Sequence, residues 1–262
     1  MPEAAGLYYE THGDPHAPPL ILSSGLGGSA GYWAPNIAAL ARRFHVIAYD
    51  HRGTGRSDRA LPDASVGAMA RDVLALMDAL GIANADVIGH ALGGHVALEL
   101  ARIAPERASR LVVINGWASL DPQTERCFDV RLTLLRSAGA RAYLQAQPLF
   151  LFPATWLSEH DAAITAEQET HLAHWPGDAT IEARVAAVGA FDASPWLGDI
   201  ASRVLFVCAE DDLLVPWTCS TRMAQLLGPD LAEVSRFPHG GHACNVTQSE
   251  RFNRTALAFL ES

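Results

Sequence analysis

The chain has 262 residues, 49% of them hydrophobic and 18% charged, and a formal net charge of -10 at pH 7. This size and composition fit one globular domain with an insertion, and the negative charge argues against a nucleic acid or an anionic membrane as partner. No apolar run reaches the roughly 18 residues of a membrane span, and the N-terminus lacks the basic and apolar regions of a signal peptide.

Apolar runs and helical periodicity alternate along the chain. Strands are predicted at residues 7–11, 19–23, 45–50, 85–88, 111–114 and 204–208. Apolar side chains at helical spacing predict helices at residues 65–80 and 92–103. Such alternation is typical of a mostly parallel, twisted sheet that is covered by helices on both faces. The predicted fold class is therefore α/β.

Residues 118–196 break this rhythm, because they combine three of the six tryptophans with long helical stretches and no clear strand. We expect a helical cap inserted into a core made of residues 1–117 and 197–262. A cap would cover a small-molecule substrate and exclude water from the site. The alternative is a helical elaboration with no role in the site.

A strand, a tight turn and a helix are predicted around the sequence Gly89-His90-Ala91-Leu92-Gly93. Its frame is G-x-S-x-G, the nucleophile elbow that presents a serine hydroxyl at the top of an α/β-hydrolase sheet. Here Ala91 stands where the serine would be. Small residues suit the position, because the turn is strained and the helix packs close to the strand.

A glycine-rich segment, Ser24-Gly25-Leu26-Gly27, follows an early strand, where α/β-hydrolases place their oxyanion loop. That loop usually begins with histidine and glycine, and Ser24 replaces the histidine. The backbone N–H groups of Leu26 and Leu92 are the candidate oxyanion donors, since neither depends on the side chain at position 91. Gly25 and His90 are expected to line the same substrate-binding site.

An acid and a base follow in the order that this fold requires. The segment Asp211-Asp212-Leu213-Leu214-Val215-Pro216 comes directly after a strand and selects Asp212 as the acid, with Asp211 as a close competitor. About thirty residues later, Gly240-Gly241-His242 selects His242 as the base. Asp212 would then hold the tautomer of His242 and stabilise its protonated form.

The best rival interpretation begins at the same glycines. Gly25, Gly27 and Ala30 follow a strand, and Asp50 ends the next strand, which matches a dinucleotide fingerprint with its ribose-binding acid. That interpretation leaves residues 50–57, the elbow and the Asp–His pair unexplained. Residues 50–57 resemble the D-x-R-G-x-G-x-S segment typical of hydrolases, for which a structural role is expected.

No metal site or cofactor is predicted. His171 and His174 could share one helix face, but no carboxylate completes a zinc motif, so packing or solvent exposure is the simpler interpretation. Cys244 lies close to His242 without being on the elbow, and Cys127 is a weaker substitute nucleophile still. The cysteines form no C-x-x-C pair, which favours reduced thiols in a cytoplasmic protein.

Three arginines, Arg126, Arg131 and Arg136, begin the predicted cap. One of them could bind a substrate carboxylate, although solvent-exposed arginines on a helix are the default interpretation. The sequence leaves the oligomeric state open, with a homodimer as one alternative.

Several longer strings resemble one family over essentially the whole chain. The elbow with its alanine occurs together with Asn115-Gly116-Trp117, Arg126-Cys127-Phe128, Gln145-Ala146-Gln147-Pro148-Leu149-Phe150-Leu151, residues 211–216 and residues 240–247. Together they resemble the RutD-type hydrolases of the Rut pyrimidine-degradation pathway. The resemblance implies that Ala91 is native. It also implies hydrolysis of 3-aminoacrylate to malonic semialdehyde and ammonia, or of carbamate, and both reactions also proceed without an enzyme.

Three other functions stay open at this point, and one of them is the removal of a reactive intermediate by a different reaction. The chain could be a serine esterase or amidase whose nucleophile was replaced at position 91. It could also be a non-catalytic binding protein that kept the fold and the pocket. Alanine cannot form an acyl-enzyme, so a hydrolase with the native Ala91 must use water directly.

Overall fold

The computed structural model describes residues 3–262, which form one sheet with helices on both faces. Its eight strands are β1 (Glu3–Ala4), β2 (Leu7–His12), β3 (Pro19–Ser23), β4 (His45–Tyr49), β5 (Ala85–His90), β6 (Ala108–Ile114), β7 (Arg203–Ala209) and β8 (Ala232–Phe237). Its ten α-helices are α1 (Ala34–Leu40), α2 (Val66–Ala79), α3 (Leu92–Ile103), α4 (Pro122–Leu151), α5 (Ala154–Glu159), α6 (Asp161–Ala173), α7 (Asp178–Gly189), α8 (Trp217–Leu227), α9 (Cys244–Thr247) and α10 (Ser249–Leu260).

The strand order is β1-β2-β4-β3-β5-β6-β7-β8. At one edge, β1 pairs antiparallel with β2, and β2 pairs antiparallel with β4. The other strands are parallel to one another; in sheet order they are β4, β3, β5, β6, β7 and β8. The predicted α/β class and mostly parallel sheet are confirmed. Because parallel strands end at a common edge, the loops after β3, β5, β6, β7 and β8 meet there.

Alternate residues of each central strand pack into two separate cores. Ile21 of β3 packs with residues of α2 and α3, whereas Leu20 and Leu22 pack with residues of α1 and α10. Burial on both faces explains why these strands read as continuous apolar runs. β8 was not predicted, because only its last residue, Phe237, is fully buried.

Four helices, α4 to α7, occupy the chain between β6 and β7. α4 is broken at Gly139, whose φ of 82° lies in the left-handed region that favours glycine. An isolated antiparallel bridge between Ser119 and Asp192 joins the two ends of this segment. Within residues 3–262, no helix has the length and apolar character needed to cross a membrane.

The loop after β4 has a structural role. The buried Asp50 carboxylate accepts hydrogen bonds from the backbone N–H of Ala30 at 2.7 Å and from Arg56 Nε at 2.8 Å. Ser57 Oγ donates to the Asp50 carbonyl at 2.6 Å and accepts from the Tyr8 N–H at 2.9 Å. The Asp50 carboxylate thus accepts hydrogen bonds from the protein itself, and the strand order differs from that of a dinucleotide-binding fold. The interpretation of these residues as a dinucleotide-binding site is therefore excluded.

Candidate active site

The turn after β5 holds Ala91 in a strained conformation, with φ 48° and ψ -111°. A side chain at Gly89 would collide with the Gly93 backbone, and one at Gly93 would collide with the Ser23 carbonyl. The Ala91 N–H donates to the Ile114 carbonyl at 2.8 Å. The glycines therefore allow the sharp turn, and the turn places the Ala91 methyl at the carboxyl edge of the sheet.

His242 and Asp212 form a buried pair, with 2.8 Å between His242 Nδ1 and Asp212 Oδ2. An ionised carboxylate only accepts hydrogen bonds, so Nδ1 carries the proton in the neutral ring and Nε2 keeps a lone pair. The other oxygen of Asp212 accepts from the N–H groups of Leu214 at 2.7 Å and Val215 at 2.9 Å. The acid is therefore fixed by its own turn, as an orienting partner of histidine requires.

Asp211 has a different set of contacts. Its carboxylate accepts from the N–H groups of Gly241 at 2.8 Å and Gly240 at 3.2 Å, both just before His242. The structure thus brings Asp212, and not Asp211, to the imidazole, while Asp211 fastens the loop that carries it.

Two further side chains hold the backbone of His242. Its carbonyl oxygen accepts from Asn115 Nδ2 at 2.6 Å and is 2.9 Å from His90 Nε2, which must donate to it. Burial, and secondarily His242, lowers the pKa of His90 well below its usual range, so His90 is neutral at pH 7. His90 therefore positions the backbone of His242, the candidate base. Asn115, with φ 49°, was not assigned a role from sequence, and its place directly after β6 is the only local signal.

The N–H groups of Leu26 and Leu92 donate to no acceptor in residues 3–262. Leu92 is the first residue of α3, where backbone N–H groups are unpaired and the helix dipole favours negative charge. A side chain at Gly25 would come within 2.9 Å of His90 Nδ1, so this glycine lets the oxyanion loop approach His90. Both donors are available to a ligand.

A cavity of about 410 Å³ lies between these loops and helices α4, α6 and α7. Ala91, His90, His242, Leu26 and Leu92 all contribute to its wall. Most of the remaining wall is apolar, and it comes from Trp117, Phe128, Leu144, Pro148, Leu151, Phe152, Ile164, Val188 and Leu214. The volume and the few convergent polar groups are typical of a small-molecule site.

Side chains of α4 and α7 also hold two loops of the candidate site in place. Arg184 of α7 is fully buried, and its Nε donates to the Leu26 carbonyl at 3.1 Å. Thr124 of α4 donates to the Leu214 carbonyl at 2.9 Å. Sequence reasoning missed Arg184, because nothing in the local pattern distinguishes it from a surface arginine.

The three arginines singled out from sequence differ in their surroundings. Arg131 is buried and lines the cavity. Arg126 and Arg136 are exposed, and Arg136 pairs with Glu182 at 2.6 Å. The interpretation of these arginines as solvent-exposed is therefore wrong for Arg131, and it holds for Arg126 and Arg136.

The other sequence candidates lie away from the reacting positions or are chemically unsuited. Cys244 is fully buried, and burial raises the pKa of its thiol far above neutrality; burial also raises the pKa of Cys127. Neither provides a thiolate nucleophile. His171 lines the cavity 3.7 Å from Glu167, whereas the Nδ1 of His174 contacts the Thr170 carbonyl. No three His, Cys, Asp or Glu side chains of residues 3–262 are grouped to hold a metal ion.

The two neighbouring acids give a matched pair of variants. Asp212→Asn should lower the rate of any reaction in which His242 is the base by at least about 10²-fold, because an amide favours the wrong tautomer of His242. Asp211→Asn should lower it much less, because it only weakens two hydrogen bonds of the loop. Initial rates of both variants would check this, and equal losses would contradict the assignment.

A model of the α/β hydrolase fold family matches residues 18–149. The chain is 48% identical over 259 residues to a protein of Caulobacter vibrioides strain NA1000 named "Putative carbamate hydrolase RutD", covering 98% of this chain and 96% of that protein. A protein of the same name from Agrobacterium fabrum is 44% identical over 257 residues, with 97% and 98% covered.

Solved structures show the same fold. The crystal structure of the enol-lactonase from Burkholderia xenovorans LB400 superposes with a TM-score of 0.88 at 26% identity, covering 98% of this chain and 96% of that chain. A hydrolase from Pseudomonas aeruginosa gives a TM-score of 0.85 at 27% identity, covering 98% and 94%.

Proposed function

The chain belongs to the α/β hydrolase fold family and, within it, to the RutD family, and from this premise we propose that it hydrolyses a small carboxylated C–N compound. The preferred substrate is 3-aminoacrylate, which the resemblance to the Rut pathway suggests. The observation that carries the proposal is the pair His242–Asp212 beside a cavity whose elbow bears only the Ala91 methyl.

Water is the proposed nucleophile, because the Ala91 methyl can form no acyl-enzyme. The space of the missing hydroxyl leaves room for a small group next to the elbow. His242, oriented by Asp212, takes a proton from this water through Nε2. The N–H groups of Leu26 and Leu92 stabilise negative charge that develops on the substrate, or alternatively hold its carboxylate.

The steps for 3-aminoacrylate balance with one water. The imidazolium form of His242 gives its Nε2 proton to the enamine carbon next to the carboxylate, which leaves a neutral ring and an iminium. Water then adds to the iminium carbon as His242 accepts its proton. The resulting carbinolamine releases ammonia and leaves malonic semialdehyde. His242 shuttles these protons, for which general acid–base catalysis typically contributes about 10²–10⁴-fold.

In this proposal, residues 118–196 form a cap over the core. Supporting it, α4, α6 and α7 contribute to the cavity wall, and Thr124 and Arg184 fasten the loops of the acid and the oxyanion donors. The cap keeps bulk water from the iminium and strengthens the charges inside.

Carbamate is the second candidate substrate, because the relatives carry that name. The two substrates are separated by measuring ammonia release from freshly generated 3-aminoacrylate and from carbamate, each against its spontaneous rate. We expect the larger acceleration with 3-aminoacrylate. Faster ammonia release from carbamate alone would make carbamate, and not 3-aminoacrylate, the substrate. Spontaneous rates with both compounds would overturn the proposed function.

Restoring the nucleophile should create a new activity. Ala91→Ser should fit the turn, because alanine already carries a Cβ at this φ, and its hydroxyl should stand near His242 and the two N–H donors. Hydrolysis of an activated ester should rise by at least 10²-fold over the parent. The double variant Ala91→Ser/His242→Ala is the control and should lose the gain. A folded Ala91→Ser protein without esterase activity would contradict the proposed alignment of elbow and base.

A further inference from the structure

Arg131 is a buried cation without a negative partner. Only 3% of the residue is exposed, and it contributes to the same cavity wall as Ala91 and His242. The hydrogen bonds of its guanidinium both come from Nη2, to the Tyr143 hydroxyl at 2.7 Å and to Gln147 Oε1 at 3.0 Å. Its Nε is buried with no acceptor in the described chain. Its donors are therefore only partly used.

The groups that the protein places around the charge of Arg131 are neutral, and they include the rings of Tyr143 and Phe128, whose centroids lie 4.7 Å and 5.8 Å from its Cζ. Arg131 takes part in none of the ion pairs with N–O distances up to 4.0 Å within residues 3–262. Both of its hydrogen-bond partners are neutral, since burial raises the pKa of the Tyr143 phenol. Glu167 also lines the cavity, but it is half exposed and lies beside His171. A buried charge is costly unless it is paired, so an anion in the cavity would relieve this cost.

We propose that Arg131 is the substrate-recognising residue of the cavity and binds the carboxylate of a monocarboxylate substrate. This rests on the proposed function and names the residue that selects the substrate. Guanidinium groups bind carboxylates through charge-assisted hydrogen bonds. With the carboxylate at Arg131, the N–H groups of Leu26 and Leu92 stay free for the reacting end of the molecule.

The size of the cavity indicates ligands larger than carbamate. Its volume of about 410 Å³ lies within the range of pockets for drug-sized ligands and far exceeds what carbamate, with four non-hydrogen atoms, would fill. Phe128 and Leu144 contribute apolar surface to the same cavity wall as Arg131. The ligand class is therefore monocarboxylates with an apolar or unsaturated body, of which 3-aminoacrylate is a small member.

Binding of unreactive carboxylates tests this without turnover. Calorimetry would measure the affinity of acrylate and of longer 2-alkenoates for the wild type, with neutral acrylamide as the matched ligand. Acrylate should bind more tightly than acrylamide, and each buried methylene should add about fourfold in affinity. Arg131→Gln should lose about 10–100-fold for acrylate and little for acrylamide.

Arg136→Gln is the control variant, since it removes an exposed arginine from the same helix and should bind acrylate like the wild type. If Arg131→Gln fails to fold, Arg131→Lys keeps the charge and should bind acrylate more weakly than the wild type but more tightly than acrylamide. Equal affinities of acrylate for the wild type and a folded Arg131→Gln, or no acrylate binding to the wild type, would overturn the proposal.

The readout separates this inference from the proposed function. Acrylate binding that depends on Arg131, without accelerated ammonia release, would support the carboxylate site and reject the proposed reaction. Accelerated ammonia release, together with acrylate binding that is unchanged in Arg131→Gln, would support the proposed reaction and reject the carboxylate site at Arg131.

Discussion

Replacing His242 with alanine is expected to lower the rate of hydrolysis by about 10²–10⁴-fold, close to the spontaneous rate. His242 is the one cavity-lining histidine held by a buried carboxylate, with 2.8 Å between Nδ1 and Asp212 Oδ2. Removing it takes away the group that accepts the proton of the attacking water. Without a serine at position 91, no covalent route can replace this step.

His90 offers the matched control for that variant. Its Nε2 donates to the His242 carbonyl, so His90→Gln keeps a donor there and should retain much of the activity. Steady-state rates of both variants should be compared after circular dichroism has shown that they are folded. A His242→Ala protein as fast as the wild type would reject the mechanism, and an equally severe loss in His90→Gln would show that His90 does more than position the base.

Acid is expected to destabilise this protein steeply below about pH 6.5, the usual pKa of an unfolded histidine. His51, His90 and His95 are fully buried, and burial lowers the pKa of each, to about 3 for His95 and well below the usual range for the other two. Below pH 6.5 the unfolded chain therefore binds protons that the folded chain does not. Their contribution to stability is present above pH 6.5 and is lost as the pH falls.

The size of this effect follows from proton linkage. Each such histidine lowers the free energy of unfolding by about 1.4 kcal/mol per pH unit below its unfolded pKa, so three together give about 4 kcal/mol per pH unit. That is a large share of the roughly 5–15 kcal/mol by which domains are stable. Urea unfolding between pH 7.5 and pH 5.5 would measure the slope.

His95→Gln isolates one of the three contributions. His95 Nε2 accepts the Trp117 N–H at 3.3 Å, and a glutamine oxygen can accept the same bond without titrating. The slope should fall by about one third in this variant, whatever its stability at pH 7.5. A free energy of unfolding that is constant over this range would contradict the buried, neutral state of these histidines.

The sequence identified the elements whose chemistry depends on order and on local turns. The elbow around Ala91, the loop at Gly25 and Asp212 each follow a predicted strand, and parallel strands end at one edge. His242 follows β8, which was not predicted, and was selected by the Gly240-Gly241 pair before it and by its place after the acid. The choice between Asp211 and Asp212 needed the structure, because adjacent residues of a turn point in different directions. Here one contacts His242 and the other its loop.

The supporting residues were beyond the reach of local patterns. Asn115 acts across 127 residues of sequence, and Arg184 reaches a loop 158 residues away. Arg131 has the same helical setting as Arg126 and Arg136, and only the packing of α4 over the sheet separates a buried arginine from exposed ones. Tertiary contacts of this kind leave no periodic signal in one sequence.

The proposed mechanism differs from that of a serine hydrolase because a histidine activates water and no serine takes part. The most direct measurement is the initial rate of ammonia release from freshly generated 3-aminoacrylate, with the wild type, with His242→Ala and without protein. We expect a clear acceleration by the wild type that His242→Ala loses. A wild type that matches the spontaneous rate, or a variant that matches the wild type, would contradict this mechanism.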